Sequence, residues 1–233
     1  MLKAYNSISL FSPSWIVKWI GEKEYRKFFK IHSPRRLLDI GCGSGEKKCV
    51  IPAKTHYTGV DHISTTHDKS TVDIFCTAYE LPFPKDSYDF IFCTGVLEHL
   101  EEPEQALKEA YRVLEPGGYA LYTIPLFWHL HEEPRDFYRY TKFGIKYLFE
   151  KTGFEIVELK ALSGFWVTFG TEFNYYIDNL ARGPLHFLVK PVIAVNNLIF
   201  FALDKLDRKT NRGTEKWSWV YFVVARKKNL VKN

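Results

Sequence analysis

The stretch Asp39-Ile40-Gly41-Cys42-Gly43-Ser44-Gly45 constrains this chain more than any other. It closes a short apolar run, Arg36 to Asp39, which reads as a buried strand ending in an acid and running into a tight turn. Closely spaced glycines let the backbone turn sharply and approach a ligand that side chains would block. A second strand is predicted over Tyr57 to Val60. It delivers Asp61, sixteen residues past Gly45, where a carboxylate can accept both hydroxyls of a ribose.

The rest of the chain continues the strand–helix alternation. Ser14 to Ile31 carries Trp15, Ile16, Trp19, Ile20, Tyr25, Phe28 and Phe29 at near-helical spacing and is expected to cap the pocket mouth. Pro52 leaves room for only a turn or two of helix after Gly45. Further strands are predicted over Val72–Phe75, Tyr88–Thr94, Tyr119–Ile124, Phe154–Leu159 and Trp217–Ala225, with helices over Pro103–Leu114 and Thr141–Lys151. Such alternation builds an α/β fold with a mostly parallel sheet and a ligand site outside the carboxyl ends of its strands. A single domain over residues 1–233 is expected, with a helical cap at 1–32 and a helical insertion at 160–215.

Two ligand classes compete for the glycine turn. A nicotinamide or flavin dinucleotide needs G-x-G-x-x-G and a helix N-terminus for its pyrophosphate. Here the third dinucleotide glycine is replaced by Glu46, and the next helix is cut short. A donor carrying a sulfonium and an ammonium, without phosphate, suits the nearby Asp39 better.

The motifs LLDIGCGSG, GVD, ELPFPKDSYDFIFCTGVLEHL and EAYRVLEPGGYALYTIP, in this order, resemble the type 11 branch of class I methyltransferases over roughly Leu37 to Leu159. The resemblance implies a Rossmann-like three-layer sandwich with a seven-stranded sheet, mostly parallel, whose last strand is antiparallel. It implies S-adenosylmethionine as cofactor and S-adenosylhomocysteine as product. By position, Asp39 and the backbone of Gly41, Cys42, Gly43 and Gly45 would hold the methionine moiety, and Asp61 the ribose. His62 and Ile63 would flank the adenine, and Ala78 and Tyr79 would offer backbone groups. Thr94 and Gly95 would lie beneath the sulfonium. Thr77 stands where the family often places an acid that binds the adenine amino group.

The acceptor wall is expected in PLFWHLHEEPRDFYRYTKFG, after the fifth strand, which gathers histidines, acids, arginines and aromatics at the ligand end of the sheet. It resembles a stretch, H-E-E-P-x-D-F-x-R-[YF]-T, of type 11 enzymes found near surface-polysaccharide genes, which implies a small, sugar-like or lipid-linked acceptor. For a hydroxyl acceptor, His129 or His131 would take the proton, with Asp136 or Glu132 orienting the imidazole. The competing reading makes Asp136, Tyr138 and Arg139 a structural knot before a helix capped by Thr141. Without H-E-x-x-H or C-x-x-C spacing, no metal site is expected.

Charge is uneven: of the net +5, residues from Ala181 onward contribute eleven Lys or Arg against three acids. Within that region, Pro184 to Leu206 is apolar on almost every face, interrupted by Lys190-Pro191 and Asn196-Asn197. A buried lid, a subunit interface and peripheral membrane contact through 184–212 all fit it. No DNA partner is expected, and RNA, which the basic tail would suit as an acceptor, ranks low because no RRM or KH signature occurs. Four cysteines without metal spacing, and a start without a basic-then-apolar leader pattern, point to the cytoplasm, with membrane association as the variant of that expectation. A nucleotide-dependent oxidoreductase and a non-catalytic cofactor-binding scaffold are the alternative functions.

Overall fold

A computed structural model describes residues 9–65, 67–181, 183, 185–210 and 214–229. Seven strands form one sheet: β1 (Arg36–Ile40), β2 (His56–Asp61), β3 (Ile74–Phe75), β4 (Tyr88–Thr94), β5 (Leu114–Pro125), β6 (Phe154–Ala161) and β7 (Val220–Lys227). Their order is β3-β2-β1-β4-β5-β7-β6. Neighbours from β3 to β5 are parallel, and β7 runs antiparallel to both β5 and β6. The order reverses between β2 and β4 around β1, so the carboxyl end of β1 is the switch point where such sheets hold ligands.

Strand alternation sends Leu38, Ile40, Ile91 and Cys93 to one face of the sheet, and Leu37, Phe90, Phe92 and Phe222 to the other. The first face packs on α2 (Pro103–Val113) through Leu107 and Ala110, and on α3 (Lys142–Lys151) through Ile145 and Phe149. Pro103 starts α2 at the position where its missing N–H costs nothing. Thr141 caps α3, its hydroxyl accepting from the Gly144 N–H at 3.1 Å.

The opposite face is covered by α1 (Trp15–Ile31), which corrects the expectation that this helix caps the pocket mouth. The crossover from β1 to β2 is a single 3₁₀ turn, Glu46–Val50, ended before Pro52, and it leaves the phenylalanines of β4 bare. Tyr25, Phe28 and Phe29 of α1 fill that gap, with ring centroids of Tyr25 and Phe92 5.5 Å apart and of Phe28 and Phe90 5.6 Å apart. Among the described residues, none from α1 lines the cavity at the switch point.

The bounds of β3, β5 and β7 differ most from the expected ones. β3 shortens to two residues because Asp73 turns back on β2, its carboxylate accepting from the Gly59 N–H at 2.7 Å. β5 begins at Leu114, directly after α2, and carries Pro116-Gly117-Gly118 within it, because Leu114 pairs with Tyr88 across a bulge. Residues Thr214–Trp217 form a 3₁₀ turn, so β7 starts only at Val220.

The insertion before β7 comprises α4 (Phe165–Leu180) and α5 (Leu185–Lys209). The helix runs on through Pro191. Asn197, expected to interrupt the apolar run, is buried: its amide accepts from Asn174 Nδ2 at 3.0 Å and donates to the carbonyls of Leu10 and Ser12 at 2.7 and 3.0 Å. A polar pair whose hydrogen bonds are all made specifies how α5 sits on α4 at little cost.

Candidate active site

At Gly41 the chain leaves β1 with φ +70°, and a Cβ there would come within 2.4 Å of Val96 Cγ2. Only glycine lets the first turn lie against the end of β4. The loop is then clasped from the next strand. One Asp61 oxygen accepts from the Gly43 N–H and the other from the His62 N–H, each at 2.7 Å. Thr71 adds a third tie, its hydroxyl donating to the Gly43 carbonyl at 3.1 Å.

A cavity of about 380 Å³ opens beside this clasp, in the size range of small-molecule sites. Gly41, Asp61 and His62 line one side, Thr77, Ala78 and Tyr79 another, and Gly95 with Val96 the end of β4. Residues Glu132 to Arg135 of the loop after β5 close it. Seven of the thirteen expected cofactor residues therefore line the cavity: Gly41, Asp61, His62, Thr77, Ala78, Tyr79 and Gly95.

Cys42, Gly43 and Gly45 shape the loop from behind, and Ile63 points largely into solvent. Asp39 and Thr94 are buried under the turn. Asp39 accepts from Tyr57 Oη at 2.8 Å, and burial pushes its carboxyl up to about 6, against the smaller opposing pull of that hydrogen bond. The Thr94 carbonyl accepts from Lys47 Nζ at 3.0 Å. Lys47, which spacing did not single out, brings a cation to the methionine end of the site, where an amino-acid carboxylate would need one.

A carboxyl whose pKa is raised by folding binds its proton more tightly in the folded chain, so stability falls as pH rises from the ordinary value near 4 to about 6. Asp39→Asn is expected to remove that part of the slope, worth on the order of 2–3 kcal/mol. Urea unfolding at pH 4 and pH 7 on both proteins measures it. An unchanged slope would mean that Asp39 ionises as it does in the open chain.

The three expected catalytic residues do not line the cavity. His129 turns toward α4, with Nδ1 2.9 Å from Glu172 and its ring 4.6 Å from Tyr175. Asp136 is gripped by both terminal nitrogens of Arg139 at 2.6 and 2.8 Å and accepts from the His131 N–H at 2.9 Å. The guanidinium and these hydrogen bonds hold its carboxyl well below the usual range, so it is a fixed anion that orients His131. Burial lowers the pKa of His131, which favours the neutral ring.

The sequence places Glu98 and His99 just after β4, either facing the pocket or capping the next segment, with a structural histidine favoured over a catalytic one. His99 lines the cavity, its ring centroid 4.6 Å from that of His131. Glu98 is 2% exposed, and burial pushes its carboxyl up to about 7. Their place immediately after β4, at the carboxyl edge of the sheet, was the available signal.

These features fit S-adenosylmethionine. Gly41 provides a turn that no side chain could occupy, and Asp61 presents its carboxylate to the cavity for ribose hydroxyls. Asp39 and Lys47, close enough to interact, place an acid and a cation beside the glycine turn. The 3₁₀ turn after Gly45 lacks the α-helical N-terminus that a dinucleotide pyrophosphate requires.

Residues 38–122 match the sequence model of the methyltransferase domain called Methyltransf_11. The chain is 32% identical over 117 residues to a demethylmenaquinone methyltransferase of Listeria monocytogenes, covering 44% of this chain and 48% of the relative. It is 29% identical over 120 residues to the human protein named "Probable tRNA methyltransferase 9B", covering 48% of this chain and 26% of the relative. The chain thus spans about half the length of the first and a quarter of the second. A phosphoethanolamine N-methyltransferase of Haemonchus contortus, solved with phosphomonomethylethanolamine and S-adenosylhomocysteine, shares the fold. Its TM-score is 0.55 at 18% identity, over 99% of this chain and 61% of the other. Turn, clasp and sequence match converge: residues 38–122 carry a methyltransferase domain of the Methyltransf_11 kind, on a fold shared with S-adenosylmethionine-dependent methyltransferases.

Proposed function

We propose that this protein transfers a methyl group from S-adenosylmethionine to a hydroxyl or amine of a small, sugar-like or lipid-linked acceptor. The observation that carries this reading is the clasp of Asp61 on the glycine loop at the mouth of a cavity of donor size. The sulfonium supplies an already activated methyl carbon. The protein's own task is to align donor and acceptor and to exclude water.

Asp61 orients the ribose, Lys47 the carboxylate end, and Gly95 leaves the floor beneath the reacting carbon free of side chain. The loop from Leu126 to Arg139 supplies the acceptor side. A base is required only for acceptors that must lose a proton, and His131, anchored by Asp136, is the imidazole in this loop that faces the cavity wall through His99. His129, held by Glu172, is a poorer candidate.

Titration calorimetry of S-adenosylmethionine, S-adenosylhomocysteine and NADH into the purified protein tests the donor. Binding of the first two without NADH is the expected result. Binding of NADH alone would replace this reading with that of a nucleotide-dependent oxidoreductase. Donor binding without methyl transfer to any component of a lipid and glycan extract would leave a cofactor-binding scaffold.

The lipid-linked part of the reading is supported by α5. Phe187, Leu188, Val192, Val195, Leu198 and Ile199 are all exposed, and His186–Lys209 is a helix long and apolar enough to cross a membrane. Lys205, Arg208 and Lys209 follow at its end, suited to anionic headgroups. The thiols of Cys42, Cys76 and Cys93 support a reducing, cytoplasmic location. Flotation with vesicles containing anionic lipid is expected to carry the protein upward, less so in high salt. No co-flotation at either salt would end the membrane reading and leave α5 as an interface or lid.

A further inference from the structure

Folding brings together three side chains that are separate in sequence: Glu98 and His99 after β4, and His131 from the loop after β5. One ligand atom from each lies within 4.8 Å of the others. Spacing could not reveal the cluster, because His131 lies thirty-two positions after His99.

The hydrogen bonds around the cluster leave its ligand atoms unused. His99 Nδ1 is 2.5 Å from the Arg135 carbonyl, which can only accept, so Nδ1 carries the proton and Nε2 keeps its lone pair. At His131, Nδ1 faces two acceptors, the His129 carbonyl at 3.2 Å and Asp136 Oδ2 at 3.3 Å, against one more distant donor, Arg139 Nη2 at 3.5 Å, which favours the same tautomer. An imidazole whose second nitrogen is held by a carbonyl or carboxylate is the usual state of a metal-ligating histidine. Glu98 supplies a second, independent observation: its Oε2 is fully buried and has no hydrogen-bond partner. A buried carboxylate oxygen left unsatisfied is costly, and a cation is the partner that removes the cost.

We propose that Glu98, His99 and His131 bind a divalent first-row transition-metal ion on the acceptor side of the donor cavity. Two imidazole nitrogens and one carboxylate favour zinc, manganese, iron or cobalt over magnesium and calcium, which prefer all-oxygen sets. Glu132 Oε2, 3.9 Å from His99 Nε2, stands ready as a fourth ligand. Bonds near 2.0 Å place tetrahedral ligands about 3.3 Å apart, so loading draws the loop that carries His131 and Glu132 inward. The site opens on the cavity: His99 lines it, and a Cβ at Gly95 would lie 3.6 Å from Glu98 Oε1. Metal binding does not depend on the methyl-transfer reading. Its consequence does: an ion at this position lowers the pKa of an acceptor hydroxyl and takes over the work of a histidine base.

The test is titration of metal-stripped full-length protein with Zn²⁺ by calorimetry and with Co²⁺ by visible absorption, alongside S-adenosylmethionine binding on the same sample. Expected are one equivalent of Zn²⁺ and the d–d bands of Co²⁺ in a nitrogen-oxygen set. Affinity should fall at least tenfold in His131→Ala and in Glu98→Gln and stay unchanged in His186→Ala, whose ring lies on α5. His131→Ala removes a half-buried loop residue, and thermal melting of each variant verifies that it is folded. Protein that binds S-adenosylmethionine yet shows neither heat nor d–d bands overturns the metal site alone. Equal metal affinity in all three variants also overturns it, as binding elsewhere.

Discussion

Asp61→Ala is expected to weaken S-adenosylmethionine binding about a hundredfold while leaving the chain folded. The carboxylate does two things at once. It accepts from the Gly43 and His62 N–H groups at 2.7 Å, holding the glycine turn open, and it lines the cavity where ribose hydroxyls must be met. Hydrogen bonds to a charged group are worth about 1.5–3 kcal/mol each. Loss of ribose contacts together with a loosened loop therefore costs about 3 kcal/mol, which is a factor on the order of a hundred in Kd. Asp61→Asn keeps the shape but turns one acceptor into a donor facing a backbone N–H, so it should fall close to the alanine variant. Calorimetry with S-adenosylhomocysteine measures both. A loss below about threefold in Asp61→Ala would mean that the donor does not use this carboxylate.

What could be read before the fold was known follows from the range of the interactions involved. The turn at Gly41, the strand before it and the acid at Asp61 are local signals, and each lies where expected. The seven-stranded sheet and its antiparallel last strand came through resemblance, and the strand pairing bears them out. The place of α1 was not legible, because its amphipathic pattern shows only that one face is buried. Which surface it covers was decided by the short 3₁₀ crossover that left Phe90 and Phe92 open. Asp39 illustrates the same limit at the site: its position in the motif was clear, but its burial beneath the turn, bonded to Tyr57, depends on β2. Of the histidines expected to be catalytic, the loop directs His129 to α4 and His131 to His99. That sorting rests on the Asp136–Arg139 grip, the contact that the reading of this loop as a structural knot placed between those two residues.

Lys227→Met is the change expected to cost the most stability. Lys227 is the last residue of β7 and is 6% exposed, yet its Nζ has three acceptors: Asp86 Oδ1 at 2.7 Å, the Tyr111 carbonyl at 2.7 Å and the Leu114 carbonyl at 2.6 Å. The ammonium joins the end of the chain's last strand to the corner where α2 becomes β5, and to the turn that leads into β4. It also lies 4.7 Å from the Tyr111 ring centroid. Methionine keeps the length of the side chain and much of its packing, so the variant isolates the charge and its donors. Two carbonyls and one carboxylate oxygen would then lose a buried cationic partner, a loss of about 3 kcal/mol or more. For a chain of this size that corresponds to a drop in Tm of about 10 °C. None of these residues lines the donor cavity, so the folded fraction should bind S-adenosylmethionine with unchanged affinity. Thermal melting followed by calorimetry on the same sample separates the two effects. A Tm within about 2 °C of the unsubstituted protein would mean that water replaces the ammonium at little cost and that the corner is held by the packing of α2 against β5.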